Sequence, residues 1–339
     1  MSNLPQFDLI IIGAGVMGSS TAYHAAKRGL KTLLLEQFDL LHYRGSSHGE
    51  SRTIRAAYPE AYYLPLVIES EKLWREAETG VGYNVYFKTE HLDLGPFDNT
   101  SLLALIANCE KQGFSHEVMD SKAVNVKFEG RVNVPDGWIA VVSEYGGVVN
   151  LPIQAVETTA FYWKIKEGCE EDFTIGKGFP AFASYGEPCV YGTPALEFPD
   201  LIKVAVCGGR ECDPDSRTWG PAEMVVERLK GWLKVTFGDR VKWEDGPVMS
   251  QSCLLSMTPD KDYVIDFLGG GFGEDVVVAG GFSGHGFKMA PVVGRILVDM
   301  VVGGKAAAVK RDEEIKWFKI GRFEGNPRGN GFADQVRLK

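Results

Sequence analysis

The sequence has no excess of positive charge, no long apolar run, no paired cysteines and no internal repeat. Lys and Arg number 36 against 45 Asp and Glu, a net charge of −9, which argues against a nucleic-acid partner because phosphate binding needs a basic face. No uninterrupted apolar stretch approaches the roughly 20 residues of a membrane span, so no membrane association is expected. The six cysteines, Cys109, Cys169, Cys189, Cys207, Cys212 and Cys253, are scattered without a CxxC pair. That spacing suits neither a zinc site nor the disulfide framework of a small secreted chain, so six reduced thiols are expected. Residues 1–6 carry no basic region followed by an apolar core, and no secretory signal is read there. The final Arg337-Leu338-Lys339 does not match the peroxisomal Ser-Lys-Leu address, which leaves a cytoplasmic or peroxisomal location. What the chain does have is glycine, 40 residues in 339, and enough length for two domains.

The glycines cluster where chemistry would need them. Residues 7–12 (FDLIII) have the length and apolarity of a strand buried on both faces, and they run straight into GAGVMG at 13–18. A stretch rich in small residues follows and ends on Gly29, a helix cap, before a second apolar strand at 32–35 that ends on Glu36. This is a βαβ dinucleotide fingerprint in its proper context. Gly13 permits the tight turn, Gly15 lets a pyrophosphate approach the backbone, and Gly18 lets helix and strand pack closely. The helix start offers unpaired N–H groups to phosphates, and Glu36 stands where a carboxylate meets ribose hydroxyls. The fingerprint alone permits NAD as well as FAD.

A second strand, glycine turn and helix lies far downstream. Residues 275–279 (DVVVA) read as a buried strand, GGFSGHG follows at 280–286, and a helix is expected over 289–302. The bland reading is a structural turn. Two such elements at opposite ends of one chain predict a sheet built from both termini, a middle inserted between them, and a long cofactor running from the first turn to the second.

Four ordered motifs, GAGVMG at 13–18, GSSHGESRTIR at 45–55, CLLSMTPD at 253–260 and GFSGHGFK at 281–288, closely resemble the monomeric sarcosine oxidase family, nearest the plant sarcosine/pipecolate oxidase-like proteins. The resemblance implies an α/β composite fold: a glutathione-reductase-type FAD-binding Rossmann domain (1–60 and 250–310), a substrate domain with a mixed β-sheet (61–249), and a C-terminal tail (311–339). It implies a monomer whose partners are a small amino-acid substrate and O2. The activity implied is oxidation of a secondary amino acid such as sarcosine or pipecolate, with hydrogen peroxide as the reduced product. Arg55 and Lys288 match the residues that hold the substrate carboxylate, a role suited to a two-pronged guanidinium and an ammonium. Cys253 matches the cysteine bonded covalently to the flavin. His48 and Arg52 match positions near the flavin ring, where a cation favours a reduced anionic flavin. Lys203 matches the lysine that promotes reaction with O2 by stabilising developing superoxide. Ser46, Gly284, His285 and Gly286 carry over as further FAD contacts. Cys253 and Lys203 favour FAD over NAD, which needs neither covalent anchorage nor oxygen activation.

The sequence departs from the family at three places. Cys207 stands where members often carry histidine, and Leu255 where they often carry tyrosine. At Asn150–Leu151 several tens of residues are missing, a segment that would supply a helix and strands of the FAD domain. Loss of parallel strands exposes a sheet edge and apolar surface, so the chain is expected to bind FAD poorly and to be unstable. A splice variant, a faulty gene model or a divergent protein would have this form, and an inactive product is the alternative to a working oxidase. Elsewhere, helices are expected over 62–78, 101–112 and 222–235, and strands at 92–94, 160–165 and 189–193. The aromatic run Phe161-Tyr162-Trp163 is read as core, and 167–172 as a solvated acidic loop.

Overall fold

A computed structural model describes residues 5–39, 42, 44–47, 52, 55, 57–82, 88–143, 154–198, 200–213, 223–310, 312–326 and 328–330. His48 and the 150/151 junction lie outside the described residues.

The chain opens with strand β1 (Leu9–Ile12), helix α1 (Val16–Lys27) and strand β2 (Thr32–Leu35). β1 and β2 pair in parallel with Leu9 opposite Thr32, so the expected βαβ unit forms. Gly13 turns at φ 97°, and a Cβ on Gly18 would lie 1.8 Å from the Gly13 carbonyl oxygen, so only glycine fits that contact. α1 closes on Gly29 at φ 76°.

Helix α2 (Tyr63–Val81) precedes strand β3 (His91–Pro96), helix α3 (Thr100–Gln112), strand β4 (His116–Met119), helix α4 (Ser121–Lys127) and strand β5 (Trp138–Ser143). Strands β6 (Gln154–Lys164), β7 (Ala181–Ser184), β8 (Val190–Thr193), β9 (Leu201–Val206) and β10 (Arg210–Glu211) lead to helix α5 (Glu223–Phe237) and strand β11 (Met249–Met257). These strands make one mixed nine-stranded sheet in the order β10-β6-β9-β8-β7-β3-β5-β4, with β11 also paired to β6. Its period-two alternation sorts the side chains. Phe161, Trp163, Ile202 and Val204 join a core with Leu229, Trp232 and Phe237 of α5. Tyr162 and Lys203, directly paired across β6 and β9, alternate with those core residues. All three residues of the run at 161–163 are buried, as expected, but Tyr162 points away from the Phe161–Trp163 cluster because a strand turns each successive side chain over.

Strands β12 (Val264–Phe267) and β13 (Val277–Gly280) form an antiparallel pair, and helix α6 (Ala290–Lys310), interrupted at Gly304, runs on to helix α7 (Asp312–Ile315). The single sheet expected from both termini is not formed: among the described residues, β1–β2 and β12–β13 are separate two-stranded sheets. The termini meet through helices instead. Gly294 of α6 lies so close to α1 that a Cβ there would stand 2.7 Å from the Ser20 backbone. A core of Met17, Tyr63, Leu66, Tyr263, Phe282, Val293 and Phe318 unites both ends of the chain. Among the described residues β2 is the one strand beside β1, which is not buried on both faces: Ile10 is 56% exposed and Ile12 86%. Among the described residues no helix is long and apolar enough to cross a membrane.

Cys189 and Cys207 form a disulfide, against the expectation of six reduced thiols. The cause is register. β8 and β9 pair antiparallel with Val190 opposite Val206, which brings the next residues outward to a Cα separation of 5.3 Å.

Candidate active site

Three groups of side chains occupy the predicted region. At the glycine turn, the backbone N–H of Ala14 donates to Glu36 (2.9 Å) and that of Val16 to Ser47 Oγ (3.0 Å). The Ala14 N–H, with help from those of Phe38 and Gln37, holds the Glu36 carboxyl below its ordinary pKa. A Cβ on Gly15 would stand 3.0 Å from Ser47 Oγ, so a larger residue there would have to push Ser47 aside. Amide donors at a helix start, a glycine that leaves room and an ionised acid at the end of β2 fit the phosphates and ribose of a dinucleotide. Ser47, the neighbour of the expected Ser46, makes the contact to the turn.

The second group surrounds the second glycine turn. The Lys288 carbonyl accepts from Ser70 Oγ and from Trp74 Nε1 (3.0 Å), so α2 fixes the lysine's backbone. Lys288 Nζ lies 4.5 Å from the centre of the Tyr58 ring, and the Arg55 guanidinium carbon lies 4.9 Å from the same ring. Both expected carboxylate anchors thus pack against one aromatic ring. Arg55 also donates to Tyr185 Oη and stands 3.6 Å from Asp93, a wholly buried carboxylate with His91 3.4 Å away. Burial opposes ionisation of Asp93, and His91 and Arg55 outweigh it, so its pKa falls below the ordinary value. Burial, then the neighbouring Arg55, drives the Lys288 ammonium well below its usual pKa. A carboxylate entering here would meet a guanidinium and a lysine whose charged form its own arrival favours.

His285 is buried beside this pair. Its Nε2 donates to the Lys261 carbonyl (3.0 Å), and Nδ1 faces the hydroxyls of Tyr263 (2.8 Å) and Tyr58 (3.3 Å). Burial, then Lys288, pushes its pKa down to about 3, so the ring stays neutral and steadies Tyr58. Gly284 takes φ 94°, and a Cβ on Gly286 would lie 2.5 Å from Phe282 Cβ, so the turn itself demands glycine at both.

The third group is on the large sheet. Cys253 of β11 pairs with Thr158 of β6, and the Cys253 side chain interacts electrostatically with Lys203, Tyr162 and Tyr191. Arg52 joins the same group and also stacks its guanidinium 5.4 Å from the centre of the Phe287 ring, next to Lys288. Arg52 therefore links the sheet group to the second glycine turn. Lys203 is 8% exposed, and its Nζ lies 3.0 Å from Glu197. Of the predicted residues, Arg52, Lys203 and Cys253 come together, as do Arg55, Lys288 and His285. Asp93, Tyr185, Tyr58, Tyr162 and Glu197 were not foreseen; only their polarity in otherwise apolar segments could have marked them.

Comparison with known proteins gives these groups a context. The family model described as FAD dependent oxidoreductase matches residues 8–152 and 132–300. A protein of Arabidopsis thaliana bearing the name "Probable sarcosine oxidase" is 49% identical over 407 residues, covering 98% of this chain and 97% of that relative. Since this chain has 339 residues, at least 68 positions of the 407 face residues it lacks. The peroxisomal sarcosine oxidase of Homo sapiens is 28% identical, covering 94% of this chain and 96% of its own length. The monomeric sarcosine oxidase of Bacillus sp. (strain NS-129) is 27% identical, covering 93% and 97%. Among solved structures, the open form of NikD, an amino acid oxidase of nikkomycin biosynthesis, superposes with a TM-score of 0.74 at 18% identity, covering 87% of this chain and 94% of that one. L-proline dehydrogenase from P. horikoshii gives 0.73 at 16%, covering 95% and 99%.

Proposed function

From the chain's membership of the FAD dependent oxidoreductases, and within them of the sarcosine oxidases, we propose that it descends from an oxidase of secondary amino acids whose reduced product is hydrogen peroxide. The observation that carries this reading is the meeting of Arg55 and Lys288 on the Tyr58 ring, one linker residue, Arg52, away from Cys253 and Lys203. When bound, FAD would supply the two-electron acceptor for oxidation of the carbon beside the substrate nitrogen, with O2 as the final acceptor of two electrons and two protons. Gly13, Gly15, Gly18 and Glu36 would hold its nucleotide half, and Cys253 would anchor it covalently. Arg55 and Lys288 bind the substrate carboxylate and orient the amine. Their positive charge also lowers the amine's pKa, which favours the neutral form that can lose a hydride. Lys203 places a cation where charge develops on oxygen. A small amino acid and O2 are the partners, and the chain works as a monomer.

A second reading is favoured by one specific observation. Ile10 and Ile12 of β1 are exposed, and the family match falls into two pieces that meet within 132–152, around the 150/151 junction. We infer that the residues lacking here are those that cover β1 in the relatives, and that this chain holds FAD weakly. The experiment is to purify the chain with FAD, precipitate it with acid and ask whether yellow colour stays with the protein. Retained colour that Cys253→Ala abolishes, with peroxide formed from sarcosine or pipecolate, supports the working oxidase. A colourless chain that makes no peroxide supports the inactive product.

A further inference from the structure

Lys203 sits in a place that should strip its proton. It is buried on β9, with Arg52 facing it from the 44–55 segment. Burial presses its pKa down, Glu197 presses it up and the Arg52 charge presses it down again, with a net shift below the ordinary lysine value. Glu197 belongs to the turn joining β8 to β9, six residues before Lys203, and its side chain is 5% exposed. One carboxylate oxygen lies 3.0 Å from Lys203 Nζ, and the other accepts from the Tyr162 hydroxyl. Tyr162 is the cross-strand partner of Lys203, and its ring centre lies 5.5 Å from Nζ. The lysine is therefore held between a carboxylate and an aromatic face, with Cys253 and Arg52 among its other charged or titratable neighbours.

We propose that Glu197 is the positioning residue of Lys203, holding it protonated and fixed over Tyr162 so that a cation persists in a buried place. The inference rests on the reading that Lys203 serves the reaction with O2. It adds that the charge on Lys203 is not the lysine's own property but is lent by a carboxylate from the neighbouring turn. An opposite charge at this distance moves a pKa by about one to three units, which decides whether a buried lysine is charged near neutral pH.

The direct readout is the 13Cε resonance of Lys203 in the full chain labelled at lysine, assigned by its loss in Lys203→Met and followed from pH 6 to 11. Glu197→Gln should lower the titration midpoint by about one unit or more, Glu197→Asp should restore much of it, and Tyr162→Phe should lower it less. An unchanged midpoint in Glu197→Gln, or equal midpoints in the Gln and Asp variants, overturns the proposal. Should the Gln variant fail to fold, Tyr162→Phe and Glu197→Asp carry the same test. In the FAD-loaded chain, reoxidation by O2 should fail in Glu197→Gln as pH rises and recover on acidification, whereas in Lys203→Met it should stay slow at every pH. If Lys203→Met reoxidises normally, the assignment of Lys203 to O2 is wrong, and the resonance still decides what Glu197 does to it.

Discussion

In the nine-stranded sheet, Phe161, Trp163, Ile202 and Val204 are wholly buried, whereas in the β1–β2 pair Ile10 is 56% exposed, Ile12 86% and Leu35 43%. The β1–β2 strands, LIII and TLLL, are if anything the more apolar. The two regions differ in neighbours: β6 and β9 have strands on both edges and α5 against one face, while β1 has one strand beside it among the described residues. A parallel strand made to be covered on both faces stays apolar whether or not the cover is present. The contrast teaches that the large sheet is a finished fold, and that the β1–β2 side, proposed above to hold the nucleotide, lacks part of its walls among the described residues.

The most damaging substitutions should fall on the finished side. Trp163→Ala removes a fully buried indole from the core under the large sheet and should cost about 3–5 kcal/mol, seen as a large fall in thermal midpoint. Amide exchange sharpens the same contrast: β6 and β9 amides should exchange near the rate set by global unfolding, and β1 and β2 amides much faster. Equal protection in the two sheets would dissolve the distinction between them.

Next in size is the seam between the halves of the nucleotide region. Gly294→Val drives a side chain into the Ser20 backbone and should cost about 1–3 kcal/mol by overpacking. Because α1 carries the glycine turn on its N-terminus, FAD titration should weaken in the same variant. A smaller effect is expected from acid. His285 has a folded-state pKa of about 3 against an ordinary 6.5, so the unfolded chain binds its proton first and stability falls as pH drops from 6.5 towards 3. At pH 5.5 the loss from this group is on the order of 1 kcal/mol, and His285→Gln should remove it from the pH profile of the melting temperature. A profile equally steep in the variant would show that the ring is not held neutral.

The βαβ unit was legible because its signals are local: a glycine spacing, a short apolar run and an acid at a fixed distance. Helices α2, α3 and α5 were legible for the same reason, each within a few residues of its end. The single sheet from both termini was not, because strand order depends on what lies between β1 and β13, and that information is spread along the chain. Asp93 meets Arg55, and Tyr162 meets Lys203, only through pairings that no local spacing encodes. The Cys189–Cys207 bond has the same origin, for it follows from the β8–β9 register and not from a cysteine motif. Arg55 and Lys288 could be named from motifs that resemble the family, and Lys203 only from the resemblance itself, but the carboxylates and tyrosines that tune them became visible only in the fold.

The smallest effect tests the comparison most closely. Ile12→Ser replaces a side chain that is 86% exposed, so in this chain it should change stability by no more than about 0.5 kcal/mol. In a chain restored at 150/151 with the residues that the Arabidopsis relative carries and this one lacks, the same isoleucine should be covered. The substitution should then cost about 2 kcal/mol or more, because the lost side chain contributes buried area and the serine brings an unsatisfied hydroxyl. The parent restored chain should also hold FAD more tightly than the short one. If Ile12→Ser is equally mild in both, the absent segment does not lie on β1, and the weakness of the nucleotide side must be sought elsewhere.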